Sequence, residues 1–469
     1  MPPAAAAGAL ADLPAPPALP FFGSVLSFDA RRMHHVLEDW AARYGTPYRV
    51  RLMGRDMLVV GDAASIAAVL RARPDTFRRG RPVQSVFRDM GISGVFGAEG
   101  ETWARQRRLV MRAFDPAHLK DYFPGLVRVT ERLRRRWEQS AGEALDIQSE
   151  LMRYTVDVTA GLAFGSDINT IEGDDDIIQQ HLDKIFPMVS RRLTAPFPWW
   201  RHFKLPSDRA LDRDLAAIHG AIARFIAEAR ARIAADPSRA EKPANLIEAL
   251  LAARDTPGSG FDDADVSGNV FTALLAGEDT TANTLAWLCF YLAEHPDAQE
   301  KLRAEADAAL GADRMLGAVE GLNALPYAEA ATREAMRLRP VAPLLFFEAL
   351  EDTTVAGYAL PAGGTVATLM RAPGMDASKL DDPGAFRPER WLGEAGTTER
   401  AGAAKKALMP FGGGPRFCPG RYLALAEIKM VATMLARNFT LERLPGQVSE
   451  RYNLSMSPGG LRIRLAPRG

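Results

Sequence analysis

The run FDDADVSGNVFTALLAGEDTTANTLAWLCFYLAEHP, residues 261–296, constrains this chain more than any other stretch. It reads as one helix, with Asp262 or Asp263 available as N-cap and Pro296 marking the end. At ~1.5 Å per residue, thirty-odd residues reach across a whole domain. In its second half apolar residues lie on nearly every side, so the helix must be central and buried. The rest of the chain has to sheathe it.

That sheath is itself mostly helical. From Glu101 to about Ala253, apolar residues recur three and four apart through LVMRAF, YFPGLVRVTERLRRRWEQ and LDRDLAAIHGAIARFIAEARARIAA. β-prone runs are fewer: PYRVRLMG and DMLVVGD near the start, TTVAGYALPAGGTVATLM after Pro340, and a last pair around Leu454 and LRIRLA. The predicted class is mainly α with a minor β part. Pro and Gly cluster in ADPSRAEKPAN and RDTPGSGFDD, which punctuate helices but are too short for an interdomain linker. Residues 21–469 are therefore expected to form a single domain behind a flexible Ala/Pro-rich arm at residues 1–20.

Composition removes several function classes. Lys plus Arg and Asp plus Glu both number 58, so no global charge draws the chain to nucleic acid or an anionic surface. The first twenty residues lack the basic start and apolar core of a signal or anchor, and no membrane anchor is expected. The two cysteines, Cys289 and Cys418, are too few for a disulfide framework, which fits a reducing, cytoplasmic setting.

Two local patterns point to chemistry. In mid-helix, Ala276-Gly277-Glu278-Asp279-Thr280-Thr281 puts small and hydrogen-bonding residues where Leu or Ala would be favoured. Threonine hydroxyls bond back to the carbonyl four residues earlier and Gly277 weakens the ladder, so a local opening is predicted. Taken alone, the patch reads first as a polar helix stripe meeting solvent or water. Cys289, further along, is read as a core residue.

The second pattern is Phe411-Gly412-Gly413-Gly414-Pro415-Arg416-Phe417-Cys418-Pro419-Gly420, just before the helical run RYLALAEIKMVATMLARNF. A lone cysteine is usually a small buried hydrophobe. Here Pro419 is read in a first-turn position, so the Gly420 and Arg421 amides favour a thiolate. The glycines let backbone pass close to a flat cofactor, and Arg416 offers it a fixed positive charge. No Lys-Ser or Lys-Thr follows as in a phosphate loop, and no G-x-G-x-x-G opens a helix. A thiol nucleophile stays open in principle, although no base is evident.

The loop matches F-x-x-G-x-R-x-C-x-G in full at Phe411, Gly414, Arg416, Cys418 and Gly420, and in this the chain resembles a soluble bacterial-type cytochrome P450. The resemblance implies the P450 fold, with heme b between the long central helix and the cysteine-loop helix. It makes Cys418 the axial iron ligand, whose electron push favours O–O cleavage. It has Arg416 bind a propionate and Phe411 pack on the thiolate side of the ring. The mid-helix patch matches A/G-G-x-D/E-T at Ala276, Gly277, Asp279 and Thr280, which implies that Thr280 supports bound dioxygen and Asp279 feeds protons. Trp103 and Arg107 fit W-x-x-x-R, implying further propionate contacts. Glu334 and Arg337 fit E-x-x-R and Arg390 the P-E-R segment, implying a buried network that holds the heme loop. These motifs occur in the family's order. One stretch departs: RAPGMDASKLDD stands where the family often has His-Arg-Asp-Pro, so no heme contact is carried over there.

The implied activity is heme-thiolate monooxygenation of a hydrophobic small molecule: a fatty acid, terpene, steroid or polyketide. By resemblance, substrate-facing residues include Val83, Phe87, Phe96, Leu275, Val341, Leu344, Leu345 and Met456, mostly apolar. Arg78, Arg79 and Arg81 either hold a substrate carboxylate at the mouth or lie exposed. No flavin or nicotinamide fingerprint is present, so electrons are expected from a separate ferredoxin or flavodoxin-type donor with its reductase. Arg105, Arg108, Arg112, Lys405 and Lys406 form either its docking patch or an ordinary solvated face. The chain is expected to be a monomer. Two rival readings, a peroxide-driven or isomerising enzyme of the same fold and a non-catalytic heme-binding sensor, have little need for the Asp279-Thr280 pair.

Overall fold

In the computed structural model, residues 7–24, 27–29, 32–114, 116–173, 184–195, 197–393, 402 and 407–468 are described. The chain separates into two compact units. The first comprises Met1–Gln84, Met336–Phe386 and Gly393–Cys418, and the second comprises Ser85–Ala335, Arg387–Leu392 and Pro419–Gly469.

The first unit is built on a five-stranded sheet. Strands Tyr48–Leu52 and Arg55–Val60 form a hairpin whose turn residues Met53 and Gly54 both have positive φ, 49° and 78°. Two such residues match the right-handed twist of the strands they join. Arg55–Val60 runs parallel to Thr365–Leu369, which pairs antiparallel with Leu344–Ala349, which in turn pairs with Phe77–Arg79. Helix Ala63–Arg71 covers it, capped by Asp62, whose Oδ1 accepts from the Ser65 amide at 2.8 Å. Leu58, Val60, Ile66, Leu70, Phe347 and Val366 form the core between them. Of the stretch expected as an arm, residues 1–6 lie outside the described residues. Gly8 bonds with the backbone of Gly357 and Ala359, and Leu13 is buried in the core.

The second unit is helical around the rod that the sequence indicates. Helix Asp263–Glu294 begins at Asp262, whose side chain accepts from the Asp265 amide, while Asp265 accepts from Asp262 in return. Helix Ile147–Phe164 lies against it so closely that a Cβ on Gly277 would meet Thr159 Oγ1 at 2.3 Å. Gly277 is thus a point of helix contact rather than of weakness. The predicted local opening does not occur: Thr280 Oγ1 donates to Ala276 O at 2.9 Å and Thr284 Oγ1 to Thr280 O at 2.8 Å, yet the helix runs unbroken. Tight packing holds the ladder that the hydroxyls would otherwise loosen. Helices Pro116–Gln139 and Arg421–Asn438 complete the wall, with Trp137 edge-on to Phe439. A hairpin of strands Ser449–Asn453 and Ser455–Gly459 and a three-stranded sheet are the minor β part of this unit. The mainly α class with its minor β part is what the structure has.

Candidate functional site

In the first unit the cysteine motif folds as a closed loop. Gly414–Arg416 makes one 3-10 turn, Phe417 returns to extended backbone, and the Cys418 amide donates to Phe411 O at 2.9 Å. Arg416 and Cys418 are half-buried. Pro419 does not occupy the first turn as expected. The next helix starts at Arg421 with Gly420 as its cap residue, because the bond back to Phe411 commits the chain to a loop through Cys418. The glycines of the loop differ in what surrounds them. Gly414 has φ +64°, and a Cβ there would meet Leu70 O at 2.3 Å and Arg71 Cα at 2.8 Å. It seats the loop on helix Ala63–Arg71. A Cβ on Gly412, φ +71°, would meet nothing within 4 Å.

The same unit holds Arg337, fully buried, whose guanidinium donates to the carbonyls of Gly374 (2.7 Å), Pro383 (2.6 Å) and Ala385 (3.0 Å). Val83 and Val341 are half-buried, while Leu344 and Leu345 sit in the sheet opposite Leu369 and Thr368. Arg78 and Arg81 both donate to Glu348, a carboxylate of the protein itself. That pairing corrects the idea that they are set aside for a substrate carboxylate.

In the second unit the central helix carries an uneven exposure. Between Asp265 and Ala293 only Ala276 and Thr280 are exposed, one turn apart, with half-buried Ala273 and Gly277 beside them on the same face. This small-residue window opens in a helix otherwise packed all round. Asp279 points elsewhere and is buried. Its Oδ1 accepts from Asn283 Nδ2 at 2.9 Å, its Oδ2 accepts from the Ser455 hydroxyl, and Gln148 Nε2 donates to Asn283 Oδ1 at 2.9 Å. Burial pushes the Asp279 carboxyl up, opposed by the bonds from Ser455 and Asn283. Cys289, buried on the same helix, has its thiol pushed up by burial to about 12, as suits a core residue.

Trp103 and Arg107 are both buried on helix Gly100–Ala113. On the same helix Arg105 pairs with Asp265 at 3.4 Å, whereas Arg108 and Arg112 are exposed. Lys405 and Lys406 lie outside the described residues. Glu334 is fully buried, and its carboxylate accepts from the Arg387 amide (3.0 Å), Arg390 Nε (2.8 Å) and Trp391 Nε1 (2.9 Å). Phe87 is buried and stacks on Phe96 with centroids 5.4 Å apart, while Leu275 and Met456 are buried. The loop before Phe96 is pinned: a Cβ on Gly94 would strike Thr272 Oγ1 at 2.1 Å and Gly268 O at 2.4 Å, and the Val95 amide donates to Asn269 Oδ1 at 2.9 Å.

Sequence reasoning found Asp279 but missed its partners. Asn283, four residues on, was within reach of helical spacing. Ser455, 176 residues away, gave no local signal.

The family model described as Cytochrome P450 matches residues 13–462. Among curated proteins, the chain is 28% identical over 471 residues to cytochrome P450 97B2, chloroplastic, of Glycine max, across 90% of this chain and 80% of that protein. It is 28% identical over 456 residues to cyclooctatin synthase of Streptomyces melanosporofaciens, across 97% of this chain and 95% of that one. A self-sufficient cytochrome P450 monooxygenase of Phanerodontia chrysosporium is 27% identical over 468 residues, and the chain spans only 43% of its length. Among the described residues, no helix is long and apolar enough to cross a membrane. A family match running from Leu13 to Arg462 covers both units, and the chain therefore belongs to the cytochrome P450 family, monooxygenases that bind heme b and take dioxygen as co-substrate.

Proposed function

We propose that Cys418 is the axial heme ligand of a monooxygenase that hydroxylates or epoxidises a hydrophobic small molecule of the fatty acid, terpene, steroid or polyketide kind. The observation that carries this is the half-exposed Cys418 on a loop closed by its own amide to Phe411 O. A soft sulfur held on a rigid, accessible loop fits an iron porphyrin. A second observation supports the fit: the exposed Ala276–Thr280 window leaves room for a flat group against an otherwise buried helix. Arg416, Trp103 and Arg107 hold the propionates, and Phe411, Gly414 and Gly420 shape the thiolate side. Once bound, the heme supplies two-electron activation of dioxygen, with the thiolate promoting O–O cleavage.

The protein's own residues do the rest. Thr280 presents its hydroxyl on the open face, and Asp279 holds a proton on the buried one. Val83, Phe87, Phe96, Leu275, Val341, Leu344, Leu345 and Met456 are the candidates for apolar contact with the substrate. Electrons come from a separate ferredoxin or flavodoxin-type donor with its reductase in the cytoplasm, docking at exposed Arg108 and Arg112. In the test, reduced holoenzyme under carbon monoxide shows the thiolate-type Soret band, and Cys418→Ala abolishes it. Absence of the band, or its survival in the variant, overturns the ligand assignment. A spin-state titration across fatty acids, terpenes and steroids then identifies the substrate class by which members displace the resting spectrum.

A further inference from the structure

Asp279, Asn283 and Trp287 stand four residues apart and share one ridge of the central helix. All three bond through it. Trp287 Nε1 donates to Met456 O at 3.2 Å, fixing the hairpin Ser449–Gly459 alongside the helix, and the residue before Met456 is Ser455. The turn that delivers Ser455 is carried by Leu454 at φ 75°, a left-handed conformation unfavourable for a branched side chain. Gln148 donates to Asn283 Oδ1, so the Asn283 amide turns its N–H groups the other way, toward Asp279 Oδ1 at 2.9 Å and Ser455 Oγ at 3.2 Å. With an N–H arriving from Asn283, the Ser455 hydroxyl proton goes to Asp279 Oδ2. Ser455 is half-buried, unlike the acid it serves, and with one proton given and one N–H accepted its oxygen keeps a second lone pair uncommitted to either partner.

We infer that Ser455 is a positioning residue that reloads Asp279, passing a solvent proton onto Oδ2 from the hairpin side. The inference rests on the reading of Asp279 as the proton-holding acid. In the step, an O–H bond of hydronium breaks as Ser455 Oγ takes that proton. The original Ser455 O–H bond breaks as its proton joins Asp279 Oδ2. One water is left, the hydroxyl is regenerated, the carboxylate becomes a neutral acid, and no electrons move. The direct partners of Asp279, Asn283 on its own helix and Ser455 on the hairpin, are both neutral, and Gln148 from helix Ile147–Phe164 joins through Asn283. An acid buried among neutral donors holds its proton more readily than one paired with a cation.

The test uses holoenzyme carrying Ser455→Ala, Ser455→Thr or Asp279→Asn. The Asp279 carboxyl stretch is followed by infrared difference spectroscopy in a pH titration of the resting enzyme, and the solvent deuterium effect and product formed per reductant are measured in turnover. Ser455→Ala should move the carboxyl titration to higher pH, because a donor to the ionised form is gone. It should also enlarge the solvent isotope effect and lower coupling several-fold, and Ser455→Thr, which keeps a hydroxyl, should restore all three. If Asp279→Asn uncouples the enzyme while Ser455→Ala does not, or if threonine rescues no better than alanine, the relay is wrong and the acid assignment stands. If Asp279→Asn leaves coupling intact, the acid assignment falls and the relay with it.

Discussion

The double role of the motif glycines yields a sharp comparison between Gly414→Ala and Gly412→Ala. Both positions have positive φ, +64° and +71°, so alanine pays the left-handed penalty of about 1–2 kcal/mol at either one. The surroundings differ. At Gly412 the new methyl meets nothing within 4 Å, whereas at Gly414 it would lie 2.3 Å from Leu70 O and 2.8 Å from the Leu70 carbonyl carbon and Arg71 Cα. Those are backbone atoms of a capped helix and cannot rotate aside, so the loop itself must move. Overpacking of this kind adds roughly 1–3 kcal/mol. Gly414→Ala should therefore lose about 2–5 kcal/mol and Gly412→Ala about 1–2 kcal/mol. Urea unfolding of the two holoenzymes measures the gap, and heme bound per polypeptide shows whether the displaced loop still holds its cofactor. Equal midpoints and equal heme content would refute the claim that Gly414 exists to seat the cysteine loop on helix Ala63–Arg71.

Glu334→Ala strips three donors, the Arg387 amide, Arg390 Nε and Trp391 Nε1, of a fully buried acceptor, and should destabilise the protein by about 3–5 kcal/mol. Glu334→Gln should recover only part of this, since its amide N–H₂ must face one of those donors. A thermal midpoint of Glu334→Ala within a degree or two of wild type would show that the network carries no stability. Asp157, pushed up by burial to about 6 against the bonds from Thr170 and Ile171, gives a pH signature. Its folded value lies above the ordinary carboxylate value of 3.8, so the stability it contributes is complete at low pH and declines as pH rises to 6 and beyond. Unfolding free energies from urea titration should therefore shift in favour of Asp157→Asn between pH 4.5 and 7 by about 2 kcal/mol, and parallel profiles for the two proteins would contradict that sign.

What could be read from the sequence was what the chain decides locally. The start of the central helix lies in the cap candidates Asp262 and Asp263, of which the structure uses Asp262, and the cysteine loop is a contiguous motif. The hairpin Tyr48–Val60 announces itself by two β-prone runs around Met53-Gly54. The reasons behind several of these residues were not local. Gly414 meets Leu70, Arg105 meets Asp265, Arg78 meets Glu348, and Asp279 meets Ser455, each partner more than a hundred residues away. Glycine in such a loop looks like room for a cofactor, and the second demand on Gly414, its seat against Leu70, has no local signal. A threonine pair in mid-helix looks like a weak point until the packing of Ile147–Phe164 against Gly277 is known. One-dimensional pattern reports which residue types are present, and tertiary contact decides which physical demand each one answers.

The central helix also explains why an acid and an alcohol next to each other in sequence serve different compartments. Successive residues of an α-helix are turned by about 100°, so Asp279 and Thr280 cannot share a face. Thr280 falls on the exposed strip with Ala276, and Asp279 falls on the ridge with Asn283 and Trp287, which the Ser449–Gly459 hairpin covers. An acid on the open face would be bathed by whatever fills it and would sit near its ordinary carboxylate range. Placed behind the helix, it is desolvated, and burial pushes its carboxyl up against the opposing bonds from Ser455 and Asn283, while its neighbour stays accessible. A proton leaving Asp279 must travel around the helix to reach the face of Thr280, and of its two hydrogen-bond partners Ser455 is the half-buried one while Asn283 is fully buried. The one-residue offset between acid and alcohol thus separates the side where protons are taken up from the side where they are used.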